Sequence, residues 1–314
     1  MNKDSRIFVT GHRGLVGSNV VSLLKERGYT NILIAKDLNL EHEIDVDYFF
    51  YKEKPEYVIH CAAKVGGIKA NTEDQYGFLY HNLLIQNNII NSCRTNKIKK
   101  CIFLGSSCIY SILDKELLSE EDLLTGPLEE TNMGYSLAKI VGLKLCEFSN
   151  KQYPDSCKFI SLMPCNLIGK GATFDLNKSH VFNALIKKIV DAKEQNIPTV
   201  EIWGSGNPKR EFMNVRDLAD GILWALNNIE RTDTFLNIGT GIDISIKELA
   251  ERIKKEVGYK GKLIFDTSKP DGIMKKCMDV SKINSLGWSA KILLNESIKE
   301  VIDEYKRKMV SESR

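Results

Sequence analysis

Two short stretches in the middle of the chain hold residue types that can do chemistry together: GSSCIY, residues 105–110, and GYSLAK, residues 134–139. Tyr135 and Lys139 stand four apart, so on a helix both side chains share one face. A nearby ammonium favours the phenolate of a tyrosine and draws its pKa of about 10 toward neutrality, where it exchanges a proton with a substrate oxygen. Ser106 offers a hydroxyl to hold that oxygen, and Cys108 adds a thiol two residues further on. The set describes one redox site, provided a single fold brings the two stretches together.

An alternation of strands and helices does so. RIFVTG (6–11) is a short apolar run of strand type, and SNVVSLLKERG (18–28) carries apolar residues at helical spacing and stops at Gly28. NILIA (31–35) reads as a second strand, VDYFFYKEK (46–54) as a short helix and YVIHCAA (57–63) as a third strand. A long helix over 77–99 follows, then the strand CIFLGSS (101–107), then another long helix over 135–153. Strands separated by helices pair in parallel through right-handed crossovers, which predicts an α/β fold: a doubly wound (Rossmann) parallel sheet with helices on both faces. Loops at the carboxyl ends of such strands line the ligand crevice, and Ser106, Ser107 and Cys108 follow the fourth strand there. From about residue 166 the pattern loosens into the irregular PCNLIGKGATFDLNKSH (164–180) and a mixture of strand, loop and helix. The expected division is a cofactor-binding domain over 1–165, joined by a segment near 212–242, and a smaller α/β substrate-binding domain over 166–314.

VTGHRGLVGSNV places Gly11, Gly14 and Gly17 at the turn between the first strand and its helix. Glycines there permit the tight turn, let backbone N–H groups approach a pyrophosphate and let helix pack on strand, while the helix N-terminus supplies positive dipole. A 2′-phosphate would require cations, and Arg13 in the loop and Lys36 after the second strand supply them, favouring NADP(H) over NAD. The competing reading has Asp37 gripping a ribose diol, with Lys36 merely solvated.

Composition narrows the class further. The 314 residues are 43% hydrophobic, enough for a sizeable core, and 44 basic residues scattered among 41 acidic ones leave a formal charge of only +3. No clustered basic stripe suggests a nucleic-acid partner, and no apolar run of about 18 residues suggests a membrane span. The start MNKDSRIFVTG passes from a polar lead into a strand with no signal-peptide pattern, so the expected compartment is the cytoplasm. Eight cysteines without CxxC pairing or a histidine ladder argue against a zinc site or a disulfide framework, and no metal is expected.

With these motifs in order, the chain resembles the GDP-L-fucose synthase family of the extended short-chain dehydrogenase/reductase superfamily. The resemblance runs nearly end to end through GHRGLVGS, AAKVGGIKAN, FLGSSCIY, the Tyr135 to Lys139 motif, NKSHV, WGSGNPKREF, NIGTG and SKPDG. It implies a cofactor, NADPH, held by Gly11, Arg13, Gly14, Leu15, Gly17, Lys36, Ala63 and Lys139, and a GDP-linked 4-keto-6-deoxy sugar as substrate. It also implies a homodimer built from the helices near 76–95 and 136–153. The implied roles are reduction for Ser106, Tyr135 and Lys139, 3,5-epimerisation for Cys108 and His180, and substrate binding for Lys188, Trp203, Arg210 and Lys276. Cys108 has a plainer reading as a core thiol, and Arg210 as a surface charge that the neighbouring Trp203 and Glu211 turn into a diphosphate clamp.

The chain departs from the family pattern at Ser111, Met133, Gly134, Ile168, Lys170 and Lys188. Serine, glycine and isoleucine in place of proline and tyrosine would loosen and reshape the sugar pocket. That leaves open a differently configured sugar such as a heptose, a reductase served by a separate epimerase, and, more distantly, a non-catalytic NADP-binding sensor.

Overall fold

The structure, a computed structural model, describes residues 1–176, 179–230, 235–269 and 271–312. Asn177 and Lys178 of the NKSHV stretch and Pro270 of SKPDG lie outside these described residues. The strands are β1 (Ile7–Thr10), β2 (Ile32–Leu33), β3 (Tyr57–His60), β4 (Lys100–Leu104), β5 (Lys158–Pro164), β6 (Asn166–Ile168), β7 (Thr199–Trp203), β8 (Lys209–Asn214), β9 (Leu236–Ile238), β10 (Asp243–Ser245), β11 (Lys262–Asp266) and β12 (Lys275–Lys276). The helices are α1 (Leu15–Glu26), α2 (Glu43–Glu53), α3 (Ile68–Glu73), α4 (Gln75–Thr95), α5 (Met133–Gln152), α6 (Val181–Glu194), α7 (Val215–Asn228), α8 (Ile246–Val257), α9 (Ser281–Ser285) and α10 (Leu294–Glu312).

The main sheet runs β2-β1-β3-β4-β5-β9, every pairing parallel. β1 and β4 are buried along their whole length and apolar except for Thr10 and Lys100, as strands covered on both faces must largely be. The chain leaves β1 toward β2 and returns on the other side to β3, so the order reverses at β1 and β3 and opens a crevice at their carboxyl ends. The first turn and helix follow from glycine sterics. Gly11 adopts φ +65°, and a Cβ there would lie 2.8 Å from the Ala62 backbone nitrogen; at Gly17 a Cβ would lie 2.3 Å from the Gly11 carbonyl oxygen. Since the obstacle is backbone, Gly17→Ala cannot be absorbed by a side-chain rotation. We expect it to lower unfolding stability by about 1–3 kcal/mol and to weaken cofactor binding, read by urea titration and by fluorescence titration with NADPH. Native values for both would mean that the turn is free to open.

Two hydrophobic clusters organise the packing. One surrounds the main sheet and takes in Leu218, Ile222 and Leu226 of α7, Phe235, and Ile283 and Trp288 near α9. The other joins α6, α8 and α10 through Ile186, Ile189, Leu249, Ile253 and Val301 to Ile202 of β7 and Phe212 of β8. The buried Lys100 ammonium helps dock α7: it donates to the carbonyls of Leu226 and Ile229 at 3.1 and 2.8 Å, where a helix C-terminus attracts a cation.

Candidate active site

The crevice at the end of β1 continues into a cavity of about 200 Å³ lined by Gly11, His12, Arg13, Gly14, Ala35, Lys36, Leu38, Leu40 and Ala62. Gly14 N–H donates to the Gly11 carbonyl at 2.9 Å, and Leu15 opens α1, so the helix N-terminus faces the turn. A pyrophosphate fits this cradle because backbone, unobstructed by Cβ atoms, forms it. Arg13 and Lys36 are exposed at the rim, and burial together with these two cations lowers the His12 pKa. Of the neighbours Lys36 and Asp37, Lys36 lines the cavity. Ala63 is half-buried beside the lining residue Ala62.

The two reactive stretches meet across one hydrogen bond: the Ser136 hydroxyl of α5 donates to the Cys108 carbonyl at 2.8 Å. Ser106 caps the short turn Ser107–Ile109, its Oγ accepting from the Cys108 N–H at 3.2 Å. That bond uses an oxygen lone pair and leaves the hydroxyl hydrogen free to donate to a ligand. Lys139 is buried, donates to the Leu104 carbonyl at 2.9 Å, and holds its ammonium 5.7 Å from the Tyr135 ring centroid.

The electrostatics correct one expectation. Burial, with a smaller contribution from Cys108, pushes the Tyr135 phenol above its ordinary value instead of toward neutrality. Burial also brings the Lys139 ammonium down to about 8. Desolvation dominates at the phenol, and the Lys139 ammonium donates to the Leu104 carbonyl. The phenol therefore stays protonated at neutral pH, as a proton donor to a nascent alkoxide must.

Sequence reasoning passed over two residues beside the thiol. Asn132 Nδ2 reaches Cys108 Sγ at 3.7 Å and Glu129 Oε2 at 3.2 Å, while Asn132 Oδ1 is 3.0 Å from the Ser136 hydroxyl. Glu129 in turn pairs with Lys276 at 3.4 Å. The available signal was Asn132 at the N-cap position of a long helix. Arg210, on β8, donates to the Ile273 carbonyl at 2.5 Å, and its charge is felt by both Glu129 and Cys108. Its neighbour Glu211 is no part of a diphosphate clamp. It is fully buried and accepts backbone N–H groups of Thr240 (2.6 Å), Gly241 (2.9 Å) and Met278 (2.9 Å), because successive residues on a strand face opposite sides.

His180 caps α6 and is joined to this group by no hydrogen bond among the described residues. Surrounding protein crowds its ring and lowers its pKa even though the residue is exposed at the surface. Trp203 is 66% exposed at the end of β7, with the Lys188 and Lys269 ammonium groups 5.9 and 5.6 Å from its ring centroid. Lys188 also donates to the Glu201 carbonyl at 3.1 Å.

Three of the departures from the family pattern have packed surroundings. Ser111 is buried and ties its hydroxyl to the Gly126 backbone at 2.7 and 2.9 Å. A Cβ on Gly134 would lie 2.3 Å from the Gln75 carbonyl oxygen, and Ile168 is buried in the second cluster.

The parallel sheet, the glycine cradle after β1, the serine after β4 and the tyrosine and lysine on α5 define a nucleotide-cofactor oxidoreductase fold. The chain belongs to the NAD dependent epimerase/dehydratase family, whose model matches residues 7–239. It is 45% identical over 312 residues to a putative GDP-L-fucose synthase 2 of Arabidopsis thaliana, covering 99% of this chain and 94% of that one. It is 43% identical over 304 residues to GDP-L-fucose synthase of Escherichia coli, covering 93% and 94%. A GDP-mannoheptose C4 reductase from Campylobacter jejuni, solved with NADP bound, superposes with a TM-score of 0.90 at 38% identity over 98% of this chain and 99% of that one.

Proposed function

We propose that the protein is an NADPH-dependent enzyme of GDP-L-fucose synthase type, epimerising a GDP-4-keto-6-deoxy sugar at carbons 3 and 5 and then reducing carbon 4. The observation that carries this reading is the placement of Cys108 beside Tyr135 and Arg210, with Ser106 and Lys139 adjoining them. The cofactor supplies hydride to the ketone carbon. Ser106 holds the ketone oxygen, Tyr135 gives it a proton, and the Lys139 ammonium offsets the phenolate that remains. For epimerisation, the Cys108 thiolate takes the acidic proton beside the ketone: the C–H bond breaks, S–H forms, and the electron pair moves onto the oxygen as an enolate. His180 returns a proton to that carbon from the opposite face. Lys188, Trp203, Arg210 and Lys276 bind the GDP portion.

We divide the chain into a cofactor-binding body over 1–165, completed by a segment near 212–242, and a substrate-binding body over 166–314. Self-association through α4 and α5 is supported by Tyr76, Tyr80, Val141 and Phe148, which leave apolar side chains exposed on the paired helices. A cytoplasmic location is supported by eight free thiols; no helix among the described residues is long and apolar enough to cross a membrane. Reduction alone, on a heptose, is a second reading favoured by the heptose-reductase likeness. Product NMR after incubation with NADPH and a panel of GDP-4-keto sugars decides between them, and failure to turn over any of them would overturn both, leaving a cofactor sensor. The position of Lys36 and Arg13 at the cavity rim gives a further expectation: NADPH is used far more efficiently than NADH, and Arg13→Ala narrows the ratio of kcat/KM values by about tenfold or more. Equal efficiency with both cofactors in the native protein would remove the charge argument.

A further inference from the structure

Asn132 stands in an unusual position for a helix cap, because its amide is held on three sides. One amide hydrogen goes to Glu129 Oε2 at 3.2 Å, the carbonyl oxygen lies 3.0 Å from the Ser136 hydroxyl, and the amide nitrogen reaches Cys108 Sγ at 3.7 Å. Ser136 fixes the other end of the arrangement by donating to the Cys108 carbonyl at 2.8 Å. Glu129 is pinned in turn by Lys276 at 3.4 Å and by the Thr131 hydroxyl at 3.0 Å. Turning the amide N–H away from the sulfur would break the bond to Glu129.

We infer that Asn132 is a positioning residue for Cys108, an N–H donor that favours the thiolate and fixes the direction in which its sulfur accepts a carbon-bound proton. Hydrogen bonds strengthen when the acceptor carries charge, so the contact stabilises thiolate over thiol. The groups facing Cys108 divide by sign. The Asn132 amide and the Arg210 guanidinium favour negative sulfur, whereas the Tyr135 phenol is neutral and the Glu129 carboxylate, bonded to the amide, has its charge offset by Lys276. The inference rests on the epimerase reading only for the use made of the thiolate; the thiolate's stabilisation stands apart from it.

Two readouts keep these claims separate. The first is the rate of Cys108 alkylation by iodoacetamide at neutral pH in the cofactor-loaded full chain, with Cys108→Ser as the blank. The blank is clean because six of the other cysteines are buried, and burial pushes the Cys61 thiol up to about 12. Asn132→Asp keeps the size of the side chain while replacing the donor with a carboxylate; Asn132→Ala removes the donor without adding charge, and neither removes a helix-capping hydrogen bond. Both are expected to slow alkylation by about tenfold. A purely structural role would loosen the turn, expose the sulfur and speed alkylation, so the sign of the change is decisive. Native or faster alkylation in both variants would overturn the inference. The second readout is deuterium entry at carbons 3 and 5 of a GDP-4-keto sugar, expected to fall in the same proportion. Should the native protein exchange no deuterium, the epimerase reading fails while the alkylation result still judges Asn132.

Discussion

Tyr135→Phe is expected to cut turnover in the reduction by about two orders of magnitude or more while leaving NADPH affinity unchanged. The ring packs edge-on against Phe78, with centroids 6.4 Å apart, and phenylalanine preserves that contact. What disappears is the proton that must reach the substrate oxygen as hydride arrives at carbon. The phenol holds this proton firmly at neutral pH, since burial raises its pKa. The lysine beneath it sets the pH dependence. Lys139 carries its ammonium below about pH 8 and loses it as pH rises through that value, because burial has brought its pKa down. Its positive charge offsets the phenolate, so native turnover should decline on the alkaline side of pH 8. Initial rates of NADPH oxidation measured from acid to alkaline pH test both statements. Near-native reduction by the phenylalanine variant would mean that another group supplies the proton.

Cys108→Ser should abolish proton exchange at carbons 3 and 5, a loss of about a hundredfold or more, and spare reduction of an already epimerised substrate. A serine hydroxyl gives up its proton far less readily than a thiol and makes a poor base at neutral pH. The variant keeps the main-chain carbonyl that accepts from Ser136, so the turn linking β4 to α5 retains its anchor. The measurement uses the keto sugar, oxidised cofactor and heavy water, which blocks the hydride step and leaves exchange visible by NMR. Deuterium in the native product and none in the variant supports the two-step reaction. Brisk NADPH oxidation by native protein without any deuterium entry would leave a pure 4-reductase that takes its substrate from a separate epimerase.

The parts of this site that lie close together in the chain were legible from residue types. Tyr135 and Lys139 are one turn apart, and Gly11, Gly14 and Gly17 sit directly after an apolar strand, so local geometry alone relates them. Asn132 escaped notice because its meaning depends on a neighbour 24 positions away, and the irregular stretch before α5 shows no periodicity to flag it. Glu211 was misread for the opposite reason: adjacency to Arg210 in sequence suggests cooperation, yet a strand sends the two side chains to opposite faces. The tyrosine's titration was misjudged because a sequence shows which charges are near but not how much water is missing. Of the departures from the family pattern, Ser111 and Gly134 meet backbone and Ile168 packs among hydrophobic side chains, surroundings that residue types alone do not reveal.

The parallel pairing of β5 with β9 also bears on how the protein is made. β5 ends at Pro164 and its outer partner begins at Leu236, after the ribosome has delivered much of another hydrophobic cluster. At about 5–20 residues per second, β5 stands for several seconds with one hydrogen-bonding edge open, the kind of edge on which nascent chains aggregate. The Lys100 anchor waits as well, since the carbonyls it binds belong to Leu226 and Ile229. A chain stopped at residue 165 therefore carries a complete glycine turn and all of its reducing residues on an unfinished sheet, and synthesis must run past the last strand before the earlier half becomes safe from misassembly.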